Sequence, residues 1–255
     1  MIYIHETNHS FFKSLARVVK YYLQQSGIES AIIKNIASED IDITDENIYI
    51  LNYISFKEGI RKKKYIAIQT EPLHCKDFKE YKIWLNNAIE VWDYSTNLHI
   101  GYSKIWKIEK EESKDIDVLF YGALNERRIN ILDNVKKTIP NIVILENIYG
   151  KNLEKTLIDT KIVLCFFYYD NLDNDMSRIA PLICKRNFLI AETCEHSNFN
   201  WLKECIVTSS VDKLGELCKY YLDNPAERLK QIDKSYDYLK NNYSFNIQNT
   251  LIKNI

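Results

Sequence analysis

Asp117-Val118-Leu119-Phe120-Tyr121-Gly122 leads through Ala123-Leu124 into Asn125-Glu126-Arg127-Arg128, and a helical pattern then runs to Thr138. The apolar run has the length of a buried strand, Gly122 ends it, and Asn125 is placed to cap the helix that follows. The alternation continues downstream. Ile142 to Glu146 reads as a strand, Leu153 to Asp159 as a helix and Ile162 to Phe167 as a strand. Ser177 to Cys184 is then a helix and Phe188 to Ala191 a strand. Strands separated by helices imply a parallel sheet.

Upstream the same grammar appears. Ile2 to Ile4 reads as a first strand, and Phe11, Leu15, Val18, Val19, Tyr22 and Leu23 share one helical face that Gly27 should stop. Ala31 to Lys34, Ile48 to Tyr53, Tyr65 to Gln69 and Glu90 to Trp92 are further strands, with a helix over Asp77 to Asn87. Glu109-Lys110-Glu111-Glu112-Ser113-Lys114 is an unbroken polar run and reads as a linker. The expected architecture is therefore α/β, with two Rossmann-like lobes built on parallel sheets. The lobes are 1–108 and 116–255, joined by 109–115. A helical tail closes the second lobe through Val211 to Leu222, Ala226 to Asn241 and Phe245 to Ile252, with Pro225 opening its middle helix.

Composition removes several classes of function. The chain has 255 residues, 46% hydrophobic and 27% charged, which is ordinary for a globular protein. Its net charge of −1 argues against a nucleic-acid binder. Arg61-Lys62-Lys63-Lys64 reads as a solvated turn, with peripheral contact to anionic lipid head groups as its functional alternative. The six cysteines form no C-x-x-C pair, the N-terminus lacks the features of a signal peptide, and no apolar run reaches membrane-spanning length. A cytoplasmic protein with reduced thiols is the expectation. Only six glycines are present and none forms G-x-G-x-x-G, which argues against a standard dinucleotide-dependent oxidoreductase. No P-loop is present to support a kinase.

The chemistry is expected in two places. In Asp175-Met176-Ser177-Arg178-Ile179, an acid is followed three residues later by Arg, and after the helix an apolar run ends in Glu192. A guanidinium suits a diphosphate, and a carboxylate at a strand end suits ribose hydroxyls. Gly122, Asn125, Arg127 and Arg128 form a helix N-terminus with added positive charge, which suits phosphate. An ordinary strand–turn–helix with a solvated Arg pair is the plainer reading of that segment. Tyr168 ends a strand beside it. For a general base, His9 and Glu6 follow the first strand at its carboxyl end, and Glu71 and Asp93 follow two others. His74-Cys75 and Cys194-Glu195-His196 have poor ligand spacing, and Asp170, Asp173 and Asp175 lack the offsets of a calcium loop. No metal is expected.

Ile68-Gln69-Thr70-Glu71, Val91 to Asn97, Asp117 to Arg128, Lys161 to Leu164, Ser177-Arg178-Ile179 and Glu192, in that order, resemble a family of bacterial and viral group-1-like glycosyltransferases of the two-lobed GT-B architecture. The resemblance runs from about Tyr65 to Pro225. It implies a nucleotide-sugar donor held mainly by the second lobe, by residues matching Gly122, Asn125, Arg127, Arg128, Arg178 and Glu192. Two departures stand out. The family's Glu before the Arg is replaced by Asp175, separated from Ser177 by Met176, and the loop from Tyr168 to Asn174 has no His. The expectation is a metal-independent, cofactor-free glycosyltransferase of polysaccharide biosynthesis, acting on a glycan, glycolipid or protein acceptor. The altered acid keeps open a non-catalytic nucleotide-sugar-binding or scaffold protein derived from such an enzyme. Donor, acceptor, stereochemistry and oligomeric state are left open.

Overall fold

The computed structural model describes residues 1–6, 10–34, 47–53, 64–70, 79–94, 96–106, 115–168, 176–193 and 202–248. His9, Glu71, Asp175, Arg61, Lys62, Lys63 and positions 109–114 of the expected linker lie outside the described residues. The chain divides into two compact units, Met1–Ile100 with Phe245–Ile255, and Gly101–Ser244.

The first unit contains β1 (Ile2–His5), α1 (Ser10–Gln25), β2 (Ser30–Ile33), β3 (Ile48–Leu51), β4 (Tyr65–Gln69), α2 (Lys79–Asn86), β5 (Glu90–Asp93) and β6 (Leu98–His99). Five strands form one parallel sheet in the order β2-β1-β3-β4-β5. Helix α1 buries Leu15, Val18, Val19 and Leu23, the face its periodicity marks. It ends in a Schellman motif: Gly27 has φ +76°, its N–H bonds the Gln24 carbonyl, and the Ile28 N–H bonds that of Leu23. In the core of this unit Tyr49, Tyr65, Tyr81 and Trp84 pack together. Buried phenols need acceptors, and Tyr65 donates to the Trp84 carbonyl at 2.5 Å while Tyr81 donates to Gln69 Oε1.

The second unit contains β7 (Ile116–Tyr121), α3 (Glu126–Lys136), β8 (Val143–Leu145), α4 (Gly150–Ile158), β9 (Thr160–Cys165), α5 (Met176–Cys184), β10 (Phe188–Glu192), α6 (Leu202–Cys205), β11 (Val207–Ser209), α7 (Leu214–Asp223) and α8 (Pro225–Asn242). Its five strands are also parallel, in the order β8-β7-β9-β10-β11. Val118, Phe120, Ile162, Leu164, Phe188 and Ile190 of the sheet meet Ile131 and Val135 of α3, Leu214 and Cys218 of α7, and Ile232 of α8.

The winding is the same in both sheets. The first strand lies between the second and the third, so the chain reverses direction across the sheet between β1 and β3, and again between β7 and β9. Ligands of open α/β sheets bind at the carboxyl ends of strands flanking such a switch point.

Two features differ from the sequence expectation. Phe245 to Ile252 was expected as helix; instead Asn246–Ile247 is a strand, β12, paired antiparallel with β6. Phe245 and Ile247 are buried and Asn246 is exposed, a period of two that favours strand. The Tyr22 hydroxyl of α1 fixes this strand by donating to Asn246 Oδ1 and the Ile247 carbonyl. The units also divide at Ile100/Gly101 and again at Ser244/Phe245, not within 109–115. The reason is local: the Tyr102 N–H bonds the Tyr243 carbonyl, and a Cβ on Gly101 would fall onto that same carbonyl.

Cys165, Cys184, Cys205 and Cys218 are buried and free of disulfides. Burial pushes the thiols of Cys184, Cys205 and Cys218 up to about 12. Cys75 and Cys194 lie outside the described residues, so Ellman's reagent at pH 8 should titrate at most two of the six thiols before unfolding and all six after it. A raised native pKa means that above the ordinary thiol value near 9 the native state holds more protons than the unfolded one. Stability is therefore complete below pH 9 and lost as the pH climbs toward 12. Tyr65, pushed up to about 12 by burial, adds to the loss. Lys185, lowered by burial, opposes it, one amine against three thiols. The melting temperature at pH 10.5 should lie at least about 5 °C below that at pH 8.

Candidate functional site

At the switch point of the second sheet, β7 ends in Tyr121 and Gly122 follows it. Gly122 has φ +137°, a conformation that favours glycine, and its N–H bonds the Leu145 carbonyl at 3.0 Å. A Cβ there would lie 3.3 Å from Arg128 Nη1 and 3.4 Å from Arg178 Nη1. Two guanidinium groups thus border one glycine, which lets the backbone approach closely.

Asn125 caps α3 in an extended conformation. Its Oδ1 accepts the Arg128 N–H at 2.9 Å, and its Nδ2 donates to the Tyr168 carbonyl at 2.5 Å, tying α3 to the segment after β9. The Leu124 N–H donates to Glu146 Oε1 at 2.8 Å.

The Arg pair is not a solvated one. Arg128 is 9% exposed. Its guanidinium donates to the carbonyls of Ala123 at 2.8 Å, Phe166 at 2.9 Å and Phe167 at 3.2 Å. The rings of Phe120, Phe166 and Tyr168 lie 5.1–5.9 Å from it. Arg127 forms an ion pair with Glu192 Oε1 through Nη2 and donates to the Phe167 carbonyl through Nη1 at 3.0 Å. The other Glu192 oxygen accepts the Phe167 N–H at 3.0 Å.

Arg178, in the first turn of α5 beside Ser177, donates to the Tyr121 carbonyl at 2.6 Å. Its guanidinium stands 3.9 Å from the centre of the Tyr121 ring. The structure therefore gathers Gly122, Asn125, Arg127, Arg128, Tyr168, Arg178 and Glu192 at the carboxyl ends of β7, β9 and β10. Three arginines and a helix N-terminus make the place cationic, and Glu192 adds one fixed carboxylate. Sequence reading missed Glu146, the Tyr121 ring under Arg178, and Phe167, whose carbonyl Arg127 bonds and whose N–H Glu192 bonds.

In the first unit, buried polar residues also lie at carboxyl strand ends: His5 on β1 and Glu6 after it, Asn52 after β3, Gln69 on β4 and Asp93 on β5. His5 is the last residue of β1, not part of the following loop. Glu6 Oε1 lies 3.4 Å from Lys13 Nζ of α1. Asp93 opens a turn in which its N–H bonds Asn97 Oδ1 at 2.7 Å and its carbonyl accepts the Thr96 and Asn97 N–H groups. Asn52 was missed, although a polar residue directly after Ile48–Leu51 was a readable signal. Among the described residues no three His, Cys, Asp or Glu side chains stand together as metal ligands, and no helix is long and apolar enough to cross a membrane.

No protein-family model and no curated protein matches the sequence. Solved structures do match. A Listeria monocytogenes protein assigned as a UDP-N-acetylglucosamine 2-epimerase superposes with a TM-score of 0.57 at 9% identity, over 97% of this chain and 92% of that one. An α1,3-fucosyltransferase with GDP gives 0.51 at 12% identity, over 99% and 86%. TarM gives 0.53 at 9% identity over 91% of this chain, which spans only 56% of TarM. The chain has the GT-B fold. At these identities the likeness is one of fold. The two Rossmann-like units expected of a GT-B protein are the two parallel five-stranded sheets described above.

Proposed function

We propose that the protein binds a nucleotide sugar through its second unit and transfers the sugar to a glycan, glycolipid or protein acceptor without a metal. The observation that carries this reading is the convergence of Arg128, Arg178 and the N-terminus of α3 on Gly122 at the switch point. A glycine bordered by two guanidinium groups at a helix N-terminus suits a diphosphate. The same donors stabilise charge on a departing nucleoside diphosphate, which is the main electrostatic demand of sugar transfer. Glu192 at the end of β10 suits ribose hydroxyls. Candidates for the base that takes the acceptor's proton are Glu6 and Asp93 of the first unit, with His9 and Glu71. The GT-B fold and the nucleotide-handling names among its structural neighbours agree with this chemistry.

The test is calorimetry with a panel of nucleoside diphosphates and their sugars, followed by product analysis with and without acceptors. Arg178→Ala should weaken diphosphate binding by about 1.5–3 kcal/mol, the scale of a charge-assisted hydrogen bond. Arg178→Lys should recover only part, because a point charge does not reproduce the planar fork. Unchanged affinity in folded Arg178→Ala would remove the diphosphate from this place. A second reading, epimerisation of the nucleotide sugar, is favoured by the match to the epimerase-assigned protein along nearly all of both chains. Conversion of a nucleotide sugar with no acceptor present would select it.

A further inference from the structure

Three polar links close a ring through the backbone of Phe167. Arg127 Nη1 donates to the Phe167 carbonyl at 3.0 Å, the Phe167 N–H donates to Glu192 Oε2 at 3.0 Å, and Glu192 Oε1 pairs with Arg127 Nη2. The ring joins the first turn of α3, the chain just after β9 and the end of β10. Both side chains are mostly shielded, at 20% and 12% exposure. A carboxylate oxygen carries two lone pairs. Among the described residues each Glu192 oxygen uses one inside this ring, which leaves the second for a ligand's O–H donor. Arg127 meanwhile aims its guanidinium at a carboxylate and a carbonyl, the geometry of a support.

We propose that Arg127 is a positioning residue, holding Glu192 so that both carboxylate oxygens face the vicinal diol of a ribonucleotide, and that it does not bind the phosphates. This rests on the nucleotide-sugar reading above and assigns the ribose preference within it. Replacing Arg127 leaves Glu192 tethered at a single oxygen, free to rotate about the Phe167 N–H bond. Selectivity for the diol is then lost while the phosphate donors on Arg178 and the α3 N-terminus are untouched.

The experiment uses the full chain with Arg127→Met, which keeps an unbranched stem, and Arg127→Lys. Affinities for UDP and GDP are measured against their 2′,3′-dideoxy counterparts and against the monophosphates. The native protein should favour the ribonucleotide by about tenfold or more, the worth of a hydrogen bond to a charged group. Arg127→Met should bring that ratio to within about twofold and leave the preference for diphosphate over monophosphate intact. Glu192→Gln should lose the ribose preference in the same way, and Arg127→Lys should restore part of it. A retained ribose preference with a lost diphosphate preference would put Arg127 on the phosphates and overturn the assignment. The second readout needs no ligand: exchange of the Phe167 amide hydrogen should be at least about tenfold faster in Arg127→Met, and an unchanged rate overturns the positioning role. Should the native protein bind neither UDP nor GDP, the functional reading falls by itself and the exchange rate still decides the role of Arg127. Should Arg127→Met fail to fold, Arg127→Lys carries both measurements, since its amine reaches Glu192 without spanning to the Phe167 carbonyl.

Discussion

Arg128→Ala is expected to lower stability by at least about 2 kcal/mol, because it strips the donor from one buried carbonyl, whose loss costs about 1–3 kcal/mol, and from two part-buried ones. The carbonyls belong to Ala123, Phe166 and Phe167, so the damage falls where the ends of β7 and β9 meet. The guanidinium also lies among Phe120, Phe166 and Tyr168, and its removal leaves those rings facing a void. Arg128→Lys should recover less than half, since one ammonium does not span three carbonyls in the plane of a guanidinium. Urea denaturation measures this as a fall in midpoint at constant slope. A loss below about 1 kcal/mol would mean that water replaces the guanidinium at little cost.

Gly122→Val should abolish nucleotide binding while leaving the protein folded. At φ +137° a β-branched residue costs about 1–3 kcal/mol in backbone strain alone. Its Cβ would stand 3.3 Å from Arg128 and 3.4 Å from Arg178 before either methyl is counted. The methyls add further bulk beside the two guanidinium groups that are proposed to hold the diphosphate. Gly122→Ala carries the same strain with less bulk and should retain measurable affinity. Wild-type affinity in a folded Gly122→Val protein would show that the ligand lies elsewhere.

Most elements were legible because each obeys a local rule. Val118 to Tyr121 is apolar over the length of a strand, Gly122 breaks it, and Asn125 caps the next helix. The Gly27 stop and the Pro225 start are equally local. What sequence could not supply was the use made of the arginines. Arg128 turns inward to carbonyls some forty residues away, and backbone acceptors leave no mark in a sequence. The Arg127–Glu192 pair depends on β9 and β10 lying side by side, which follows from topology and not from spacing. Two-residue strands such as β6 and β12 carry too few residues for a period, so Phe245 to Ile252 read as helix. The shared winding of the two sheets is likewise invisible as a repeat, because it is fixed by the order of strands and not by their residues.

The pairing of β12 with β6 has a consequence for how the chain is made. Residues 101–244 form one uninterrupted stretch, so the second unit holds everything it needs once Ser244 has been synthesised. The first unit begins earlier and finishes later. Leu98 and His99 wait for Ile247 and Asn246, and Phe245 and Ile247 belong to its buried interior. During synthesis the usual order, in which domains complete from the N-terminus onward, is therefore reversed. The unit proposed to hold the nucleotide is complete in sequence before its predecessor has received its last strand.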